Sequence, residues 1–242
     1  MIVPALTVPT VVIDVMPFAL LGAVLGVDVV TFPQAMFSRP IVAATLSGAL
    51  GGHAQYGLLL GATLELIALE TLPFGASRYP EWGSASVVGG ALMASVSVHG
   101  ETSGVSAALA CSVLAALVTA WVGGWSMVGL RKLNAVWARA ARPALEAGSG
   151  RAVVGLQLRG LSADLVRGGL LTAIALLVFR PLVATSVAHW GLDPRLTRAV
   201  VVGIASTVAV GATWKVFHQT AGALWYFIVG LLGGAAMVAM VR

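Results

Sequence analysis

Residues 57–69 read GLLLGATLELIAL, so a single carboxylate, Glu65, interrupts an otherwise apolar run. Holding an ionised carboxylate at mid-membrane depth costs on the order of 2.5–3.5 kcal/mol even on the lenient insertion scale. Such a group must line a cavity, pair with a cation or do work. If 57–69 is helical, Gly61, Glu65 and Leu69 share a face with Gly57 above them. A carboxylate beside a glycine groove suits an uncharged, hydroxyl-rich ligand: its oxygens accept two hydrogen bonds while the glycines admit a ring. Thr63, two residues earlier, is a supplementary polar group. The competing reading pairs Glu65 with Arg39 or another basic residue for folding.

A second polar cluster, Gln34, Ser38 and Arg39, lies in TFPQAMFSRP, bracketed by Pro33 and Pro40. It reads as a broken connection whose backbone and side chains can face a cavity. Arg39 doubles as a snorkelling anchor. A third region, LPFGASRYPEWGSAS (72–86), is dense in Pro and Gly and reads as a loop, with Arg78 and Glu81 as a surface pair. The histidines His53, His99, His189 and His218 have no ligand spacing, so no metal or other cofactor is expected. No GxxxxGK[ST] motif is present for nucleotide hydrolysis. Cys111, the single cysteine, excludes an intrachain disulfide and reads as a small packed hydrophobe.

These groups must be positioned by membrane-spanning elements. Of 242 residues, 59% are hydrophobic and 10% charged, with a mean hydropathy of +0.97. A soluble domain carries about a quarter of its residues as charges, so the chain reads as an all-α, polytopic membrane protein with about six to eight hydrophobic segments. The net charge of +5 then reflects orientation signals and headgroup contacts, not nucleic-acid binding, for which a solvated basic face or aromatic platform would be needed.

Candidate spans are 9–30 (with Pro17 as a kink), 84–99, 105–130, 168–190, 198–217 and 220–241. No Lys or Arg precedes Arg39, so residues 1–30 read as a retained span and not a cleaved signal. Trp121, Trp125, Trp190, Trp214, Trp225 and Tyr226 sit in or beside span ends, as interfacial aromatics do. Residues 40–72 divide into two short apolar arms around His53-Ala54-Gln55, each about a dozen residues. That length suits a re-entrant hairpin, with a pair of short tilted spans as the alternative. Gly48, Gly52, Gly57 and Gly61 let the arms approach, and Gly22/Gly26, Gly100/Gly104 and Gly230/Gly234 favour close helix packing. Residues 131–167 carry seven Lys and Arg against two acids and form the expected basic cytoplasmic loop of a single domain, 1–242. The N-terminus then faces outward if 40–72 is a hairpin. RPIVAAT (39–45) and RPLVATS (180–186) form a short internal echo.

The run RPIVAATLSGALGGHAQYGLLLGATLELIALETLPFGAS resembles the membrane subunit IIC of the mannose/fructose/sorbose family of the bacterial phosphoenolpyruvate-dependent sugar phosphotransferase system. The resemblance is carried by Arg39, Pro40, Thr45, Leu46 and Gly48, then Gly61, Ala62, Glu65 and Ala68, and a glycine at Gly75. It is dense over about 50 residues, and overall length and hydrophobic layout agree beyond them. The chain departs from the family where an acidic, F-Q-like stretch usually precedes R-P, here Pro33-Gln34-Ala35-Met36, and where a familiar G-D is replaced by Gly51-Gly52-His53. The Glu70 continuation and Arg78/Glu81 also differ from the mannose members.

The resemblance implies a permease component in the bacterial inner membrane. Its membrane partner would be IID, and soluble IIA and IIB proteins would phosphorylate the sugar. Phosphoryl-transfer residues are expected on those polypeptides and not here. The expected substrate-binding residues are Glu65, Thr63, Gln34, Arg39, Gly48 and Gly61, with Gly57 shaping the site. The alternatives are an ion-coupled secondary sugar transporter, with Glu65 carrying the proton, and a regulatory membrane scaffold.

Overall fold

The computed structural model describes residues 8–29, 31–70, 79–96 and 102–241. Among these residues all regular structure is helical: α1 (Val8–Asp28), α2 (Pro40–Leu50), α3 (Ala54–Ala68), α4 (Trp82–Val96), α5 (Thr102–Ala140), α6 (Arg142–Glu146), α7 (Gly150–Ala188), α8 (Pro194–Phe217) and α9 (Ala223–Val241). Gly75, Arg78, His99 and Gly100 lie outside the described residues. By length and composition, four helices suffice to cross a membrane: α5, α7, α8 and α9. Arms α2 and α3 are shorter apolar helices.

Local chemistry sets the helix boundaries. Pro40 opens α2 at its first turn, where a missing N–H costs nothing. The α2–α3 turn is Gly51-Gly52-His53, with Gly52 at φ +82°, a conformation that glycine adopts freely. Ser149 caps α7 by accepting from Ala152 N at 3.3 Å, and Asp193 caps α8 by accepting from Leu196 N at 2.8 Å ahead of Pro194.

The core is built by close backbone approach. A Cβ on Gly48 would lie 2.7 Å from Gly57 Cα, one on Gly61 2.8 Å from Pro40 O, and one on Gly57 would collide with Ala44 O. Arms α2 and α3 therefore touch backbone to backbone, as the glycine spacing predicts. Helix α4 packs against α2 at Gly90, with Ala44 O 2.5 Å from its would-be Cβ, and Gly51 meets Ala94. Ser47 Oγ of α2 also donates to Val87 O of α4 at 2.6 Å. Gly26 and Gly168 bring α1 and α7 together in the same manner, 3.4 Å from would-be Cβ to Cα. By contrast, among the described residues nothing outside the local helix lies within 4 Å of a would-be Cβ on Gly104, Gly230 or Gly234.

The basic connector is not a loop in backbone terms. Helices α5 and α7 run through most of it, each 39 residues long, and the short α6 joins them near the turn at Gly148. Its inner end is also not solvated: Asp164 is buried, and Arg167 is 9% exposed and paired with it at 2.8 Å. The sequence echo likewise has no structural counterpart. Pro40 starts a helix, whereas Pro181 lies inside α7.

Candidate functional site

The carboxylate of Glu65, three residues before the end of α3, reaches across the hairpin to the start of α2. Its Oε1 accepts from Arg39 Nη2, and its Oε2 accepts from Ile41 N at 3.2 Å. The contact with Ile41 is a cap supplied from another helix. The first-turn N–H groups of α2 have no partner within the helix, and a carboxylate there also meets the positive end of the helix dipole. Arg39 and Glu65 are 44% and 20% exposed at their side chains, so the pair sits at the edge of the packed core. The pairing weighed from the sequence as the competing role of Glu65 is thus present in the structure.

The other expected site residues are distributed as follows. The Thr63 hydroxyl donates to Leu59 O at 2.9 Å, and the residue is 4% exposed. Two residues from Glu65 along a helix, it points to a different side, so the structure does not bring the two together. Gly48 and Gly61 are taken up in closing the hairpin and leave no groove open beside Glu65. Gln34 lies exposed in the α1–α2 connection at φ +58°. That connection is organised by Asp28, which is 3% exposed; its two oxygens accept from Ala35 N at 2.7 Å and Ser38 N at 2.8 Å.

One acidic residue departs from the sequence expectation. Glu81, expected in a surface pair, is fully buried at the start of α4. Its backbone N donates to Ala120 O of α5 at 2.9 Å, and its Oε1 accepts from Ser84 N at 3.0 Å. The signal available in the sequence was its position: an acid three residues ahead of Ser84 at the mouth of a small-residue helix is placed to cap it. Around it lie Ser84, whose Oγ donates to Gly22 O at 3.1 Å, and Arg167, whose Nη1 donates to Ser126 Oγ at 3.1 Å.

Residues 12–239 match the family profile described as "PTS system sorbose-specific iic component". The chain belongs to that family. It is 32% identical over 140 residues to the sorbose-specific EIIC component of Klebsiella pneumoniae, covering 58% of this chain and 48% of that protein. Over 52 residues it is 40% identical to the mannose-specific EIIC component of Escherichia coli K12, covering 22% of this chain and 20% of that one. The fructose permease IIC component of Bacillus subtilis is 31% identical over 103 residues, 43% of this chain and 38% of that one. The chain thus spans about half, or less, of the length of these relatives in the matched stretches.

Two solved structures share the fold at 19% identity. One, described as "Structure of membrane protein", covers 98% of this chain and 96% of its own at a TM-score of 0.68. The other, a chain of the mannose transporter ManYZ in complex with microcin E492, covers 95% and 87% at 0.53. Family and fold agree on a multi-pass, all-α membrane protein of the IIC type.

Proposed function

We propose that this IIC chain conducts a hexose or related sugar across the bacterial inner membrane as part of a phosphotransferase complex, with phosphorylation performed by partner subunits. The observation that carries the proposal is the family match over residues 12–239, which includes the arginine–proline opening and the glutamate of the hairpin. Its membrane partner in this reading is a IID subunit, and soluble IIA and IIB proteins supply the phosphate. The likeness to a chain of the ManYZ complex supports a two-subunit membrane assembly.

In this reading the α2–α3 hairpin is re-entrant and presents the Glu65–Arg39 pair to the sugar. Sugar hydroxyls compete with Arg39 for the carboxylate, and Gln34 contributes from the α1–α2 connection. Thr63, Gly48 and Gly61 hold the hairpin in shape. An apolar cleft between α8 and α9, lined by Trp214, Phe217, Tyr226 and Phe227 among others, is not the sugar path, because it has few groups to replace a sugar's hydration.

The test is uptake of labelled D-mannose, D-fructose and L-sorbose by cells expressing the chain with its IID, IIA and IIB partners. Accumulation as the sugar phosphate is expected. Accumulation of free sugar that follows the proton gradient would replace this reading with ion-coupled transport.

A further inference from the structure

Besides Asp193 on α8, two carboxylates among the described residues accept from a backbone N–H in the first turn of a helix and have an arginine nearby. Glu65 caps α2 with Arg39 alongside. Glu81 caps α4, and Arg167 approaches it at Gly123: a Cβ there would lie 3.3 Å from Glu81 Oε2, and the Ser126 hydroxyl that Arg167 Nη1 contacts donates to Gly123 O at 2.6 Å. The two arrangements differ in what is left unused. Both oxygens of Glu65 are engaged, whereas Glu81 Oε2 and Arg167 Nη2 are each buried without a hydrogen-bond partner. Glu81 is fully buried and the Arg167 side chain is 9% exposed, so neither atom has bulk water to turn to. Native structures rarely leave such atoms unmatched.

Both groups are pinned from the other side. Arg167 Nε donates to Asp164 Oδ1 at 2.8 Å and Nη1 to Ser126 Oγ at 3.1 Å, while Asp164 Oδ2 accepts from Thr31 Oγ1 at 2.6 Å. Glu81 is held through its backbone N on Ala120 O and through Oε1 on Ser84 N. Glycines border the two free atoms: a Cβ on Gly123 would lie 3.3 Å from Glu81 Oε2, and one on Gly26 would lie 3.6 Å from Arg167 Nη2. The unmatched acceptor and donor are therefore fixed in place, with small residues beside them.

We propose that Glu81 Oε2 and Arg167 Nη2 form a subsite for a single neutral hydroxyl of the transported sugar. Oε2 accepts the hydroxyl proton and Nη2 donates to the hydroxyl oxygen. This rests on the sugar-translocation reading above and adds a second contact point to it. Charge complementarity selects the ligand class: Arg167 disfavours a cation, Glu81 and Asp164 disfavour an anion, and an apolar group leaves both atoms unmatched. A hydroxyl satisfies both at once. The subsite joins the Glu65 region through the fold. The α1–α2 connection reaches both, through Arg39 on Glu65 and Thr31 on Asp164.

A resident water offers the same chemistry as a sugar hydroxyl, and the experiment separates the two. The chain is purified with its IID partner, and dissociation constants are measured calorimetrically for D-mannose, D-fructose, L-sorbose and the monodeoxy analogues of those that bind. In the wild type, one analogue lacking a single hydroxyl is expected to bind about tenfold or more weakly than its parent, the scale of a hydrogen bond to a charged group. In Glu81→Gln the parent weakens by a similar factor, and that analogue and its parent bind alike. If the substitution weakens parent and every analogue equally, or weakens none, the pair holds water and the proposal is overturned. Should Glu81→Gln not assemble, Arg167→Lys is measured identically, since it keeps a cation beside Asp164 but loses the guanidinium fork. If the wild-type complex binds none of the three sugars, the translocation reading falls together with the subsite; if it binds them with unchanged discrimination, the subsite alone falls.

Discussion

At the residue scale, the chemistry lies in how each ionisable group is matched. Glu65 is matched on both oxygens, by Arg39 and by Ile41 N, so its roles in folding and in ligand binding compete for the same atoms. Glu65→Gln decides between them. If sugar hydroxyls use the carboxylate, affinity falls by about one to two decades while complex yield is kept, because an amide is cheaper to bury than a carboxylate. Calorimetry and the yield of purified complex read both quantities. Normal affinity with normal yield removes Glu65 from the sugar site, and a collapsed yield assigns it to folding with Arg39. Sequence alone brought Arg39 and Glu65 into one frame because each stood out against an apolar background. It did not find Glu81, whose neighbours Arg78, Pro80 and Trp82 look like an ordinary polar loop. That side chain is buried against α5, where its backbone N meets Ala120 O and its carboxylate lies beside Gly123. These residues are distant in sequence, and nothing in their types marks them as its neighbours.

At the element scale, the hairpin is specified by absent side chains. Four glycines at near-helical spacing are readable in sequence as permission for close approach, and the structure spends Gly48, Gly57 and Gly61 on that contact. Gly57→Ala should therefore lower stability by about 1–3 kcal/mol through overpacking, seen as an earlier thermal unfolding midpoint of the purified complex. Gly203→Ala, in α8 with nothing within 4 Å of the added methyl, is the control. It should be neutral or raise the midpoint, since alanine is the better helix former. Equal effects at the two positions would mean that the hairpin is not held by backbone contact. Short motifs were a poorer guide. RPIVAAT and RPLVATS are nearly the same string, yet one starts a helix after a turn and the other continues inside one, because the residues before Arg180 are already helical while those before Arg39 are not. Helix length was also hidden, because polar residues in 131–159 look like a loop until two antiparallel helices carry them together.

At the scale of the whole molecule, the outer faces of α8 and α9 are the unfinished part. Trp225 and Tyr226 are 71% and 75% exposed, and among the described residues a would-be Cβ on Gly230 or Gly234 meets nothing outside the local helix within 4 Å. If α9 carries the contact with IID, Gly234→Leu leaves this chain folded but lowers recovery of the partner by about tenfold in mild detergent, because a bulky side chain blocks close helix approach. Unchanged recovery would assign that face to lipid. Topology is checked separately. With Cys111→Ser as background, Ala147→Cys at the basic tip should resist an impermeant thiol reagent in intact cells and react once the membrane is opened, as the charge bias of 131–167 requires. Reaction in intact cells would invert the assignment.

Helices α5 and α7 have 39 residues each, so each is a rod about 58 Å long. The hydrocarbon layer occupies only about 30 Å, which leaves close to half of the pair standing clear of it. A paired rod of that kind is a lever arm. Tilting it by about 10° about the point where Asp164, Arg167 and Ser126 tie the helices together, roughly 25 Å from the end, carries the tip at Arg142–Glu146 through about 4 Å. A rearrangement too small to repack the membrane core is thereby converted into a displacement that a protein resting on the tip would register as a change of place.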